Sequence, residues 1–253
     1  MKDAKGREIK YLRVSVTDRC NLRCKYCMPN GIECVEHKDI LSFEEIRQIA
    51  VCGARLGITK IRLTGGEPLA RKGCPELIRM LKEIPGIEKI AMTTNGTLVR
   101  AILPELVEAG LDEINISLDT LDAGTFAAIT GQDLLPEVLL AIDAALAAGL
   151  KVKVNAVSMP DTDWKRLITL AKDKPVDVRF IELMPIGEGR HSEGRSNEDL
   201  LEEIRSEFPQ LQADDSVHGA GPAVYYKIPG YQGSIGLISA MHGKFCSSCN
   251  RVR

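Results

Sequence analysis

Residues 11–27 read YLRVSVTDRCNLRCKYC, a short apolar segment that runs directly into three cysteines. Cys20, Cys24 and Cys27 form a C-x3-C-x2-C run, and thiolates at such spacings hold zinc or an iron–sulfur cluster. Three cysteines without a nearby histidine leave one position of a four-ligand site open. We therefore favour an iron–sulfur cluster with one open iron. The alternative is a zinc knuckle that a distant residue completes.

The composition is that of an ordinary globular protein. The chain has 253 residues and a net charge of −2, which excludes a bulk polycation for nucleic acid. Apolar residues make up 44% and charged residues 27%. No apolar run approaches the ~20 residues of a membrane helix, and the first residues contain no apolar signal segment. We expect a cytoplasmic protein that binds neither nucleic acid nor membrane.

Six short apolar segments alternate with helical patterns along the first three quarters of the chain. The segments predict strands at 11–17, 60–64, 89–94, 113–119, 151–157 and 177–183. Ser42 and Glu45 predict a capping box at the first helix. Three helical patterns end on glycine followed by an apolar residue, at Gly57, Gly110 and Gly149, which is typical of a helix-to-strand turn.

This alternation predicts parallel strands joined by right-handed crossovers. Six strands are too few for a closed eight-stranded barrel. We predict an α/β fold in which residues 1–189 form a partial (βα)6 barrel and residues 190–253 form a C-terminal α+β appendage. Within the appendage the patterns predict a linker at 190–196, a helix at 197–208 and short antiparallel strands at 219–222, 225–228 and 234–239.

Polar or special residues follow the carboxyl end of every predicted strand, where barrel active sites lie. They are Asp18 with the three cysteines, Gly65-Gly66-Glu67-Pro68, Thr93-Thr94-Asn95-Gly96, Ser117 with Asp119, Asn155, and Glu182 with Met184. The glycine pair alone fits a plain turn as well as a close approach to a ligand. The cysteines at the neighbouring strand end favour the ligand.

Four cations lie between apolar neighbours inside predicted strands: Arg13, Arg62, Lys153 and Arg179. Parallel strands are buried on both faces, so an unpaired cation there is costly. One such cation alone fits a strand end that reaches solvent. Four of them on four strands favour a shared polyanionic ligand such as a triphosphate.

Taken together, these motifs resemble a known family. The three-cysteine run with Gly65-Gly66-Glu67-Pro68 resembles the radical S-adenosylmethionine (SAM) superfamily. Residues 11–24 and 61–69, the segment RFIELMP at 179–185 and the segment FCSSCNRVR at 245–253 resemble, within it, the GTP 3',8-cyclase family. The resemblance covers essentially the whole chain.

The resemblance implies an activity and two cofactors. It implies conversion of GTP to (8S)-3',8-cyclo-7,8-dihydroguanosine 5'-triphosphate, the first step of molybdopterin (molybdenum cofactor) biosynthesis. A 5'-deoxyadenosyl radical derived from SAM would take the 3' hydrogen of GTP. Cys20, Cys24 and Cys27 would ligate three irons of a 4Fe-4S cluster whose fourth iron binds SAM. Cys246 and Cys249 would be two ligands of a second 4Fe-4S cluster that faces the guanine.

The resemblance also assigns binding residues and partners. SAM would be held by Tyr26, Gly65, Gly66, Glu67, Ser117 and Met184. GTP would be held by Arg13, Lys60, Arg62, Thr93, Lys153, Arg179, Arg251, Val252 and Arg253. The expected partners are a reductant such as ferredoxin or flavodoxin, the next enzyme of the molybdopterin pathway, and a second copy in a homodimer.

One departure from the family concerns the second cluster. The family has a third cysteine and a Gly-Gly tail further downstream, whereas this sequence ends at Arg253 without either. We therefore expect a truncated product in which the second cluster is absent, labile or incomplete, and an inactive remnant is one alternative.

Two other functions remain open. A radical SAM enzyme acting on a peptide would not need four strand cations. A non-catalytic iron–sulfur carrier usually closes its cluster with four cysteines rather than three.

Overall fold

The computed structural model describes residues 2–4, 6–31, 35–219, 221–243 and 249–252. In these ranges the strands join in one sheet. They are β1 (Tyr11–Ser15), β2 (Lys60–Thr64), β3 (Lys89–Thr94), β4 (Glu113–Ser117), β5 (Lys151–Ser158), β6 (Asp177–Glu182), β7 (Gln212–Ala213), β8 (Val224–Lys227), β9 (Ile235–Ile238) and β10 (Arg251–Val252).

Helices connect the strands and cover the apolar side of the sheet. They are α1 (Phe43–Arg55), α2 (Cys74–Lys82), α3 (Val99–Glu108), α4 (Ala123–Thr130), α5 (Leu135–Ala147), α6 (Trp164–Asp173) and α7 (Asn197–Glu207). The core lies between the two layers, where Ile61 and Met92 of the sheet and Leu77 of α2 are fully buried. The opposite side of the sheet is thereby left for polar side chains.

The order of the strands confirms a partial barrel. It is β10-β1-β2-β3-β4-β5-β6-β9-β8-β7, and β1 through β6 pair in parallel with their neighbours. All six predicted strands are present, although the first and fourth end two residues earlier than predicted, at Ser15 and Ser117. The carboxyl ends of these six strands meet at one edge.

The C-terminal segment differs in part from its prediction. Helix α7 and strands β8 and β9 are present, but β9 is parallel to β6 as well as antiparallel to β8. The predicted strand at 219–222 is wrong. Gly219, Gly221 and Pro222 lie in a loop, since glycine disfavours extended structure and proline lacks the N–H that a ladder requires. Ala220 lies outside the described residues.

Strands of the C-terminal segment also extend the barrel sheet at both of its ends. Strand β9 adds to β6, and β10 adds in parallel to β1. The division of the chain between residues 189 and 190 stays a prediction.

The predicted helix-to-strand turn is used three times, after α1, α3 and α5. Gly57, Gly110 and Gly149 all have positive φ angles, between 78° and 94°. The next residue in each turn donates its N–H to a carbonyl five residues earlier, as Ile58 does to Gly53 at 3.0 Å. These are Schellman turns, which satisfy the last helical carbonyls and return the chain to the sheet.

Within the described ranges, no single helix is long and apolar enough to cross a bilayer. Helices α4 and α5 reach that length and composition only as a pair, which is bent by 101° at the break between them.

The capping box at α1 gives a test of local stability. Ser42 Oγ accepts the N–H of Glu45 at 3.1 Å, and Glu45 Oε2 accepts the N–H of Ser42 at 2.7 Å. We expect Ser42→Ala to lower the free energy of unfolding by about 1 kcal/mol, because the N–H of Glu45 in the first turn loses its acceptor. Urea denaturation measures the change.

The matched control is Ser206→Ala, at an exposed position inside α7. We expect a change within about 0.5 kcal/mol for this variant. Equal losses in the two variants would contradict the assignment of the cap.

Candidate active site

A cavity of about 630 Å³ opens on the polar side of the sheet. Strands β1 to β6 and the C-terminal segment both contribute to its walls. The structure brings together here seven of the predicted GTP residues, namely Arg13, Lys60, Arg62, Thr93, Lys153, Arg179 and Arg251. It also places three of the predicted SAM residues in the wall, namely Tyr26, Ser117 and Met184.

The strand cations in this wall are buried. Lys60, Arg62, Lys153 and Arg179 are between 2% and 8% exposed. The alternative of a strand end that reaches solvent is therefore wrong for Arg62, Lys153 and Arg179, whereas Arg13 is half-buried. Ordinary parallel strands carry apolar residues at such positions, so the burial indicates a ligand-binding wall.

One group of charges joins β2 to β4. Lys60 Nζ donates to Glu113 Oε2 at 2.6 Å, and Arg62 Nη2 lies 3.5 Å from the same oxygen. Burial lowers the pKa of Lys60. Burial alone would raise the pKa of Glu113, but the hydrogen bond and charge of Lys60 outweigh it and hold that pKa below its usual value. One carboxylate thus holds two cations in place.

A second group joins β5 and β6 to the C-terminal segment. Lys153 Nζ donates to Asp177 Oδ2 at 2.9 Å and to the Tyr225 hydroxyl at 3.0 Å. Arg179 donates from Nε and Nη2 to Asn155 Oδ1, at 2.9 and 2.6 Å. Burial lowers the pKa of both cations. Each cation is oriented before any ligand arrives.

His218 is a site residue that the sequence analysis missed. Its ring stacks on Tyr225 with centroids 3.8 Å apart. Nδ1 lies 2.9 Å from Asp177 Oδ2, Nε2 lies 2.9 Å from Asp214 Oδ2, and the backbone carbonyl accepts from Lys153. No spacing in the sequence joins these residues except the interval of four between Asp214 and His218.

The balance of charge in the cavity favours an anionic ligand. In its described part, seven Lys and Arg side chains line the wall against two carboxylates, Glu113 and Asp119. Such an excess raises the local concentration of anions and strengthens charge-assisted hydrogen bonds.

The three cysteines of the first run lie beside this cavity. Cys20 and Cys24 are half-buried and Cys27 is exposed. Burial, together with the charges of Asp119, Cys20 and Cys27, raises the pKa of Cys24 to about 12. The thiols are therefore close enough to interact. Cys20 Sγ also accepts the N–H of Leu22 at 3.4 Å.

This donor set fits a cluster. Over the described ranges, no three His, Cys, Asp or Glu side chains converge on a point for one metal ion. An iron–sulfur cluster has a different requirement, since each thiolate binds its own iron.

The glycine pair packs against the start of the cysteine loop. Gly66 N donates to Thr17 O at 2.8 Å, and a Cβ on Gly66 would lie 2.4 Å from Arg19 O. A Cβ on Gly65, whose φ is 155°, would lie 2.4 Å from Thr17 O. Only glycine permits this approach.

Glu67 has a supporting position rather than a place in the cavity wall. It is fully buried, and it accepts hydrogen bonds from Thr94 Oγ1 at 2.8 Å, Asn95 N at 2.7 Å and Leu69 N at 3.0 Å. Burial raises its pKa. Its contacts fix the end of β3 next to the cysteine loop.

Tyr26 connects the cysteine loop to the sheet. Its hydroxyl donates to Asp119 Oδ2 at 2.6 Å, and Asp119 Oδ1 accepts the N–H of Val157 at 2.8 Å. Tyr26, Ser117 and Asp119 border both the main cavity and a smaller one that Cys24 also lines. The smaller cavity next to Cys24 and the cationic cavity are therefore adjacent and share these three residues.

The C-terminal prediction is only partly visible. Cys249 and Arg251 line the cavity. Val252 instead packs against the apolar core. Cys246 and Arg253 lie outside the described residues.

Comparison with known proteins accounts for this arrangement. The family model described as the radical SAM superfamily matches residues 14–173, and the model for molybdenum cofactor synthesis C matches residues 176–253. A relative from Clostridium perfringens, named GTP 3',8-cyclase, is 47% identical over 257 residues, which are 100% of this chain and 80% of the relative. The chain belongs to the GTP 3',8-cyclase family of the radical SAM superfamily.

Further comparisons agree with this GTP 3',8-cyclase assignment. A relative of the same name from Alkaliphilus oremlandii is 45% identical over 261 residues, again 100% of this chain and 80% of the relative. The crystal structure of Streptococcus suis SuiB bound to S-adenosylmethionine has a TM-score of 0.67 at 18% identity. It covers 80% of this chain and 48% of SuiB, and it supports the radical SAM fold alone.

The packing at Gly66 gives a test of the cysteine site in this GTP 3',8-cyclase family member. We expect Gly66→Ala to retain at least about twofold less iron after reconstitution, because the added Cβ pushes the cysteine loop away from the turn. Iron per chain and thermal unfolding measure the effect. Gly124→Ala is the control, since a Cβ there meets Asp122 Oδ1 at 3.5 Å, an ordinary contact. Normal iron content in Gly66→Ala would contradict the argument.

The position of His218 gives a second test. His218→Phe keeps the ring against Tyr225 but removes both hydrogen bonds to carboxylates. We expect the KM for GTP to rise about tenfold, since Asp177 then holds Lys153 less well, with a smaller change in kcat.

The control is His191→Phe, at an exposed position outside the cavity. An unchanged KM in His218→Phe, or a fall in kcat alone, would count against a positioning role.

Proposed function

We propose that this chain is a radical SAM enzyme that converts GTP to (8S)-3',8-cyclo-7,8-dihydroguanosine 5'-triphosphate, the first step of molybdenum cofactor biosynthesis. The observation that carries the proposal is a cavity lined by buried cations that lies beside a three-cysteine loop. The names of the full-length relatives support the same reaction.

The cysteine loop would hold the cofactor. Cys20, Cys24 and Cys27 would ligate a 4Fe-4S cluster, and Tyr26, Gly66, Ser117 and Met184 would surround SAM. When bound and reduced, such a cluster would supply the electron for the cleavage of SAM and so the chemistry that removes the 3' hydrogen of GTP. Gly65 and Glu67 would act through the loop, because they pack beneath it.

The cationic wall would hold the triphosphate. Arg13 and Arg62 face each other across β1 and β2, and Lys153 and Arg179 stand on β5 and β6. Glu113 and Asp177 already orient Lys60 and Lys153, so little side-chain entropy is lost when the anion binds. Thr93 adds a hydroxyl donor beside Arg62, whose Nη1 lies 3.3 Å from it.

In this proposal the cofactor would supply the radical chemistry. The work of the chain itself is to bind the nucleotide, to orient the ribose toward the cysteine loop and to exclude water. The two halves of the chain share this work, since His218, Tyr225 and Arg251 close the wall that the barrel strands begin.

A second 4Fe-4S cluster belongs to the proposal as well. Cys249 lines the cavity and would be one of its ligands, with Cys246 as another. Hydrogen bonds and charge from Arg251 outweigh the effect of burial and lower the pKa of Cys249, which suits a thiolate ligand. The incompleteness of this cluster stays a prediction, and the iron content tests it.

The remaining partners are also proposals. A low-potential protein such as ferredoxin or flavodoxin would supply the electron, and the next enzyme of the molybdopterin pathway would take the product. We expect the reaction in the cytoplasm, and a homodimer is the oligomeric state to test.

Anaerobic reconstitution with iron, sulfide, dithionite, SAM and GTP tests the function. We expect mass spectrometry to find 5'-deoxyadenosine together with the cyclised GTP product. Iron analysis in the same sample separates ~4 from ~8 atoms per chain, for one or two 4Fe-4S clusters. The absence of both products, in a chain whose first cluster is intact, would refute the proposal. Modification of a peptide instead of GTP would favour the rival radical SAM function.

The same assay with Lys153→Met examines the cationic wall. Loss of a charge-assisted contact of about 1.5–3 kcal/mol should lower kcat/KM for GTP by roughly 10- to 100-fold. Lys172→Met, at an exposed position on α6, is the control. Equal activity in the two variants would contradict the assignment of Lys153 to the GTP-binding site.

A further inference from the structure

Asn115 carries a buried hydrogen-bond acceptor that nothing in the structure satisfies. Asn115 lines the cavity and is 5% exposed, and its Oδ1 accepts no hydrogen bond. Among the described residues, the only other such atom is Asp18 Oδ1. A buried acceptor without a partner costs roughly 1–3 kcal/mol, so Asn115 is unfavourable for the folded chain by itself.

Asn115 lies between the cations of the cavity wall and the side of the cavity near the cysteine loop. It lies at the centre of β4, opposite Thr93 on β3 and Lys153 on β5. Glu113 and Ser117, two residues away on either side, share its face of the strand, each roughly 7 Å distant along the chain. Glu113 holds Lys60 and Arg62, whereas Ser117 borders the smaller cavity next to Cys24.

The chemistry of the group restricts what it binds. An amide oxygen accepts a hydrogen bond and offers none, so Oδ1 has no attraction for a phosphate oxygen. It therefore serves the part of the ligand that lies between the phosphates and the base. In a nucleoside triphosphate that part is the ribose, whose hydroxyl groups donate.

We propose that Asn115 Oδ1 accepts a hydrogen bond from a ribose hydroxyl of the bound nucleotide and so orients the sugar toward the cysteine loop. The inference rests on the proposed function, and it adds a specificity-determining residue to it. The loss of this contact removes selectivity for the sugar without weakening the phosphate site.

Binding constants for four nucleotides test the inference on the reconstituted enzyme. GTP, 2'-deoxyGTP and 3'-deoxyGTP differ in the ribose, and inosine triphosphate differs from GTP in the base. We expect the unaltered chain to bind GTP about tenfold more tightly than one of the deoxy analogues, which identifies the hydroxyl. In Asn115→Leu this difference disappears, while the preference for GTP over inosine triphosphate remains.

Stability provides a second, independent readout. Asn115→Leu and Asn115→Ala should unfold at a temperature equal to or above that of the unaltered chain, because each removes an unsatisfied acceptor. Asn155→Leu is the contrast, since Asn155 Oδ1 already holds Arg179. That variant should lower the affinity for all four nucleotides by a similar factor.

Three results would overturn the inference. Selectivity for the ribose could persist in Asn115→Leu, selectivity for the base could be lost instead, or both Asn115 variants could be destabilised. Failure of the proposed function is a separate outcome, in which the unaltered chain binds none of these nucleotides.

Discussion

The burial of like charges inside a parallel sheet is the constraint on which the rest of this molecule depends. Lys60, Arg62, Lys153 and Arg179 occupy strand positions that ordinary barrels fill with apolar residues. Glu113 and Asp177 compensate part of that charge and leave the remainder for a ligand. Such an arrangement destabilises an ordinary core but suits the binding of an anionic ligand. Functional sites are where local rules of folding are expected to be broken.

Much of this was predictable from the sequence. The six parallel strands follow from alternating apolar segments and three repeated glycine turns, which are local signals. The strand cations could be recognised because Arg and Lys are conspicuous between apolar neighbours. The predicted strand at 219–222 is wrong, and Gly219, Gly221 and Pro222 border the site instead.

His218 and Asn115 escaped prediction for a different reason. Their environment is made by residues far away in the chain, such as Asp177 for His218 and Lys153 for Asn115. Neither histidine nor asparagine is unusual enough alone to signal a role. An unsatisfied acceptor is a property of the folded molecule, and no pattern of residue types predicts it.

The pairing of β10 with β1 has a consequence for the order in which the protein becomes functional. Strand β1 is synthesised before the other strands of the sheet and β10 after them, yet the two strands are neighbours and both border the cavity, through Arg13 and Arg251. A nascent chain in which β10 is not yet synthesised would hold an unfinished binding wall. Capture of the nucleotide therefore follows the synthesis of β10, and a ribosome-bound chain that has not yet reached this strand would not sequester substrate.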